Sequence, residues 1–153
     1  MKNYLKNLQE AEEILSKIEK MIVLAQISKN KRMALLILEE IEKALKKILN
    51  SILLYEYESK LIQLYKDPIL NLKTFENKSA KNFSITISEI NTIKEILTLS
   101  KEHKESPIEF MKKQDIIILS KNQEIYKMSI EKLSYFLTVL KSLIKKAKHR
   151  ING

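Results

Sequence analysis

The chain has 153 residues, of which 44% are hydrophobic and 31% charged, and its formal net charge is +9. This composition is typical of one folded, charge-rich domain spanning residues 1–153, and it excludes a disordered chain. The absence of cysteine excludes disulfides, thiol catalysis and cysteine-based zinc or iron–sulfur sites. Because Gly153 is the only glycine, the sequence also lacks the glycine-rich loops of P-loop, Rossmann and nucleophile-elbow proteins.

The location of the protein is predicted from its apolar segments. No apolar run approaches the roughly 18 residues of a membrane span, and Glu12 and Lys17 interrupt the start of the chain. The first residues also lack the charged, then apolar, then small-residue order of a signal peptide. We therefore expect a cytoplasmic protein that does not enter a membrane.

Two long helices are predicted at the start of the chain. Apolar residues recur with alternating spacings of four and three over residues 3–28 and again from Ala34 to Tyr55. The polar turn Lys29-Asn30-Lys31 between them is short, so the helices should form an antiparallel hairpin. Further apolar positions beside each stripe indicate burial against several neighbours, as in a bundle.

The middle of the chain is less regular. We expect the second helix to continue to Tyr65, and Asp67-Pro68 to begin a short new element. Residues 72–84 are largely polar and predict a loop. Thr86-Ile87-Ser88-Glu89 is a capping box that starts a helix ending near Lys104, and Ser106-Pro107-Ile108-Glu109 is a second capping signature, which predicts a further turn or two of helix.

Residues 115–128 allow two interpretations. Two short apolar runs flank the polar stretch 120–123, which favours a β-hairpin, and a helical continuation is the alternative. Ser129 then caps a last helix that extends nearly to the end of the chain. The predicted fold is all-α: an antiparallel bundle of four main helices with a small β-hairpin before the last one.

No metal, cofactor or catalytic residue is predicted. His103 and His149 do not form a metal-binding pair with each other or with a Glu-x-x-His motif, and the carboxylates lie on the polar faces of helices. His103 is adequately explained as a cation near a helix C-terminus, with a binding or catalytic role as the alternative. Tyr57 and Tyr65 could stack on bases, but tyrosines at helical spacing more often lie at the edge of a core.

The strongest functional signal is a basic tail. No acidic residue follows Glu131, whereas five cations lie within ten residues near the end of the last helix: Lys141, Lys145, Lys146, Lys148 and Arg150. Such a patch attracts phosphate with a salt-dependent affinity. The alternative is that these cations interact favourably with the helix dipole and keep the protein soluble.

The order of these parts resembles the HEPN superfamily (higher eukaryotes and prokaryotes nucleotide-binding) in a small archaeal-type variant. The resemblance rests on residues 41–47 of the helical hairpin, on Tyr55-Glu56-Tyr57 and Tyr65-Lys66-Asp67, and on residues 103–110. It implies a four-helix-type bundle that often dimerises and that pairs with a nucleotidyltransferase-like partner in toxin–antitoxin fashion. Ribonucleases of that superfamily have an Arg followed four to six residues later by His. Neither Arg32 nor Arg150 has such a His, so the resemblance implies a non-catalytic member.

We therefore expect a non-catalytic module that binds RNA or a nucleotide and forms a homodimer through apolar surface left on its long helices. An adaptor for another protein is the second hypothesis. A metal-independent nuclease that uses His103 is the third.

Overall fold

The computed structural model describes residues 1–28 and 30–153, and this part of the chain is mostly helical. The elements, in chain order, are the helices α1 (Asn3–Ser28), α2 (Lys31–Glu58) and α3 (Pro68–Thr74), a π-helical turn (Phe75–Ser79), the helices α4 (Ala80–Asn82) and α5 (Ile87–Glu105), the strands β1 (Ile108–Lys112), β2 (Asp115–Leu119) and β3 (Ile125–Met128), and the helix α6 (Ile130–Asn152). None of the described helices is both long and apolar enough to cross a membrane.

The helical hairpin of α1 and α2 is confirmed. The predicted stripe of α1 is buried from Leu8 to Ala25, and the stripe of α2 from Ala34 to Ile52. The predicted turn includes Lys29, which lies outside the described residues. Asn30 caps α2, because its side-chain oxygen accepts a hydrogen bond from the Arg32 amide at 2.8 Å.

Helices α5 and α6 pack against this hairpin to complete the bundle. Their predicted starts are confirmed: Thr86 and Glu89 form a reciprocal capping box, and the Ser129 hydroxyl accepts from the Lys132 amide at 3.1 Å. The largest fully enclosed side chains of the core come from several elements: Ile18, Ile37, Leu38, Ile41, Leu45, Ile48, Ile52, Phe75, Ile93, Ile96, Ile116 and Phe136.

The predicted continuation of α2 to Tyr65 is wrong, because the helix ends at Glu58. Lys60 adopts a left-handed conformation with φ of 62°, and the Leu61 amide donates to the Glu56 carbonyl at 2.9 Å. This closure reverses the chain and satisfies a carbonyl of the last turn. The apolar residues after Leu61 extended the helical pattern but lie beyond the reversal.

The predicted loop over residues 72–84 is also wrong. Asp67 caps α3 as expected, by accepting from the Ile69 amide at 2.9 Å, but the chain then stays helical to Asn82. Phe75 and Phe83 are buried and hold this segment against the bundle, and most of the polar residues between them face outwards. The polar composition therefore reflected one exposed side of a helical segment.

The β-hairpin at residues 115–128 is confirmed, but it belongs to a three-stranded antiparallel sheet in the order β1-β2-β3. The short helix predicted after Ser106 is wrong, since Ile108–Lys112 forms the edge strand β1. The Ser106 hydroxyl lies 2.6 Å from the Leu119 carbonyl oxygen and 3.2 Å from the Ile108 amide, so it fastens β1 to β2. The all-α description is corrected to a mostly helical fold with this small sheet.

Candidate functional site

A groove of about 980 Å³ runs between the end of α6 and the segment after α4. One side is basic, and the other side contributes small polar groups. The lining residues are Lys145, Lys146, Lys148, His149, Arg150 and Gly153, together with Ser142 from α6 and Asn82, Phe83 and Ser84 from the facing segment.

Local sequence explains why these residues converge. In α6, Leu143, Ile144 and Ala147 are buried against the bundle, so the residues between them point away from it. On the facing side, Phe83 is only 2% exposed and anchors the segment, while Ser84 has a left-handed φ of 57° that turns the chain. A buried aromatic residue thus positions the polar wall of the groove.

Two of the groove cations have carboxylate partners. Lys146 is paired with Glu89, and Lys148 lies 2.6 Å from a carboxylate oxygen of Glu12. By contrast, Lys145 and Arg150 are exposed and form no ion pair with any described residue. The unbalanced positive charge of the groove is therefore concentrated at Lys145 and Arg150.

Lys141, the fifth cation of the predicted tail, lies outside the groove. Its Nζ is 2.5 Å from a carboxylate oxygen of Glu19 on α1. The structure therefore brings four of the five predicted residues together and leaves Lys141 in a surface ion pair.

Glu89 joins the start of α5 to the wall of the groove. It accepts hydrogen bonds from the Ser142 hydroxyl at 2.6 Å and the Thr86 amide at 2.9 Å, in addition to its pair with Lys146. Partial burial alone would raise the pKa of this carboxyl, but the bonds from Lys146, Ser142 and Thr86 outweigh it and hold the pKa below its usual value. Glu89 is therefore an anion at neutral pH and keeps Lys146 at the groove.

Asn82 connects the groove to a buried carboxylate. Its Nδ2 donates to Glu56 Oε1 at 2.8 Å, and Glu56 is fully buried in α2. Glu56 Oε2 has no hydrogen-bond partner within residues 1–28 and 30–153. Sequence reasoning missed this pair. The available signal was an acid four residues after Ile52, on the apolar stripe of α2.

The three other candidate residues do not contribute to the groove. Tyr57 and Tyr65 are 51% and 47% exposed, and neither lines it. His103 Nδ1 is 2.7 Å from a Glu109 oxygen, and Nε2 is 3.5 Å from a Glu39 oxygen. Because both ring nitrogens face carboxylates, His103 links α5, β1 and α2 in the way that a structural residue does. The described residues contain no cluster of three metal-binding side chains.

We compared the chain with protein-family models, curated proteins and solved structures, and none of them matched it.

Proposed function

We propose that this protein is a non-catalytic module that binds RNA through the phosphates of the chain, in the groove between the end of α6 and residues 82–84. The observation that supports it best is the convergence of Lys145, Lys146, Lys148 and Arg150 on one concave surface. Backbone phosphates are the ligands that such a surface favours, because neutralising them releases counterions.

The four cations have different parts in this proposal. Lys145 and Arg150 meet the phosphates first, since they are exposed and lack carboxylate partners among the described residues. Arg150 can also grip one phosphate through two parallel hydrogen bonds. Lys146 and Lys148 must share their charge with Glu89 and Glu12, so each adds less to affinity.

The neutral wall suits single-stranded RNA. The Asn82 amide nitrogen is committed to Glu56, which leaves its Oδ1 to accept a hydrogen bond from a base amino group or a 2′-hydroxyl. Ser84 adds a hydroxyl on the same side of the groove. Unstacked nucleotides expose these donors, whereas the deep major groove of an RNA duplex hides them.

The resemblance to HEPN proteins remains a proposal and agrees with a binding role, because the Arg–His motif of the ribonucleases is missing. We also propose that the module forms a homodimer through its long helices. The nuclease hypothesis predicts that the protein cleaves labelled RNA and that His103→Ala abolishes this cleavage. The non-catalytic proposal predicts that the RNA stays intact.

The first test is fluorescence anisotropy with a labelled single-stranded RNA at about 50 mM and about 200 mM salt. We expect a steep loss of affinity with salt and a loss of roughly tenfold or more in the double variant Lys145→Glu/Arg150→Glu at low salt. The salt slope of that variant should also fall by about 2, one for each lost phosphate contact.

Lys141→Glu is the matched control, since it makes the same charge change on the same helix but outside the groove. The proposal predicts nearly unchanged binding in this variant. Equal losses in both variants would mean that overall charge governs binding, and unchanged binding in the double variant would remove the groove from the proposal. Circular dichroism checks that each variant keeps its helices.

A further inference from the structure

The sheet has an apolar face that points away from the bundle. Successive residues of a strand point to opposite sides, and the register pairs Ile108 with Leu119, Phe110 with Ile117, and Leu119 with Ile125. These five apolar side chains therefore lie together, and we call them the outer sheet face.

The outer sheet face is not covered by the rest of the described chain. Ile116 and Ile118, on the opposite side of β2, belong to the hydrophobic core, and none of the five outer residues does. Ile108, Phe110 and Ile125 are 53%, 45% and 66% exposed. Ile117 is only 5% exposed, because it lies between its strand partners Phe110 and Lys127.

The size of this face fits one helix. Three strands spaced about 4.8 Å apart span about 10 Å, and five residues extend roughly 15 Å, which is the footprint of about three turns of one α-helix. The exposed apolar area is on the order of 300 Å², well below the roughly 800 Å² per partner of a stable dimer. The face is therefore too small to hold a second copy by itself.

The charges around the face favour an acidic occupant. Lys112 and Lys127 lie on the same side of the sheet, and Lys113 and Lys121 are exposed in the adjoining turns. Within the three strands, the only acidic residue on that side is Asp115. A helix whose apolar stripe is flanked by Glu or Asp would match both the apolar centre and the basic rim.

We propose that the outer sheet face docks one amphipathic helix with acidic flanks, supplied by a partner protein. This site is separate from the groove, because the sheet adjoins the start of α6 and the groove lies near its end, about 30 Å along the helix. The two sites can be occupied at the same time.

The test uses a labelled, helix-stapled peptide with a leucine stripe and glutamate flanks, and a second peptide with lysine in place of glutamate. We expect the acidic peptide to bind and Phe110→Glu to weaken it at least tenfold. Ile87→Glu is the matched control, since Ile87 is 77% exposed at the first turn of α5, away from the sheet. It should bind like the unchanged protein.

Two further variants test the basic rim and the independence of the two sites. Lys112→Glu/Lys127→Glu should make the protein prefer the basic peptide, and this test stands even if Phe110→Glu fails to fold. Lys145→Glu/Arg150→Glu should keep the acidic peptide, which separates this site from the groove. No binding of the acidic peptide, equal binding by Phe110→Glu, or a dimer that Phe110→Glu dissociates would each overturn the proposal.

Discussion

At the scale of single residues, the bond between Asn82 and Glu56 is the contact whose removal should be felt most. Glu56 is fully buried, and Asn82 supplies its one side-chain hydrogen bond among the described residues. Replacing Asn82 with alanine leaves a buried carboxyl group without that donor. We expect the free energy of unfolding to fall by about 2 kcal/mol, measured by urea denaturation.

Two variants interpret that result. Lys81→Ala removes an exposed neighbour on the same short helix and should change stability little. Glu56→Leu combined with Asn82→Ala removes both partners, so the double variant should be more stable than Asn82→Ala alone. Equal stability of Asn82→Ala and Lys81→Ala would show that water can replace the amide.

At the scale of elements, Glu89 joins α5 to α6, and this junction predicts a pH dependence. The folded state holds the pKa of Glu89 below its unfolded value. The stabilisation is therefore complete above the unfolded pKa, near 4.3, and is lost as the pH falls through the folded pKa. Glu89→Gln keeps a side chain that can complete the capping box but removes the charge that pairs with Lys146.

We expect Glu89→Gln to lower the melting temperature at pH 7, and the difference from the unchanged protein to shrink as the pH falls from about 5 to about 3. Thermal unfolding followed by circular dichroism across this range measures it. A difference that stays constant with pH would contradict the assignment of the stabilisation to the Glu89 charge.

Elements were predictable where the signal is local. The heptads of α1 and α2 and the caps at Thr86 and Ser129 depend on residues within a few positions, and the structure has them. β1 was missed because Ser106-Pro107 resembles a helix cap, whereas the strand is stabilised by pairing with Ile116–Leu119 further along the chain. Tertiary pairing here outweighs the local capping signal.

At the scale of the whole molecule, the sequence located the cations of the candidate site but not their partners. Lys148 and Glu12 are 136 positions apart, and Lys146 and Glu89 are 57 apart, so only folding reveals these pairs. The polar wall was hidden for the same reason, since Asn82 lay in a segment predicted as a loop. The basic tail is thus a smaller net charge than its composition indicates, centred on Lys145 and Arg150.

The oligomeric state is the last prediction at this scale. Val23, Leu24 and Ile27, near the end of α1, are 56%, 54% and 77% exposed. α1 is about 39 Å long, so a two-fold contact along it can add polar surface to this patch and reach the area of a stable dimer, unlike the short sheet. We expect light scattering to give a dimer mass for the unchanged protein.

Leu24→Glu/Ile27→Glu should convert that dimer to a monomer, because it places four like charges at a two-fold contact. Ile69→Glu is the control, since Ile69 is 65% exposed on α3, and this variant should remain dimeric. A monomer mass for the unchanged protein would contradict the prediction, and so would a dimer that survives in the double variant. If Phe110→Glu also stays dimeric, self-association and partner docking use different faces, and one dimer then presents two grooves and two outer sheet faces.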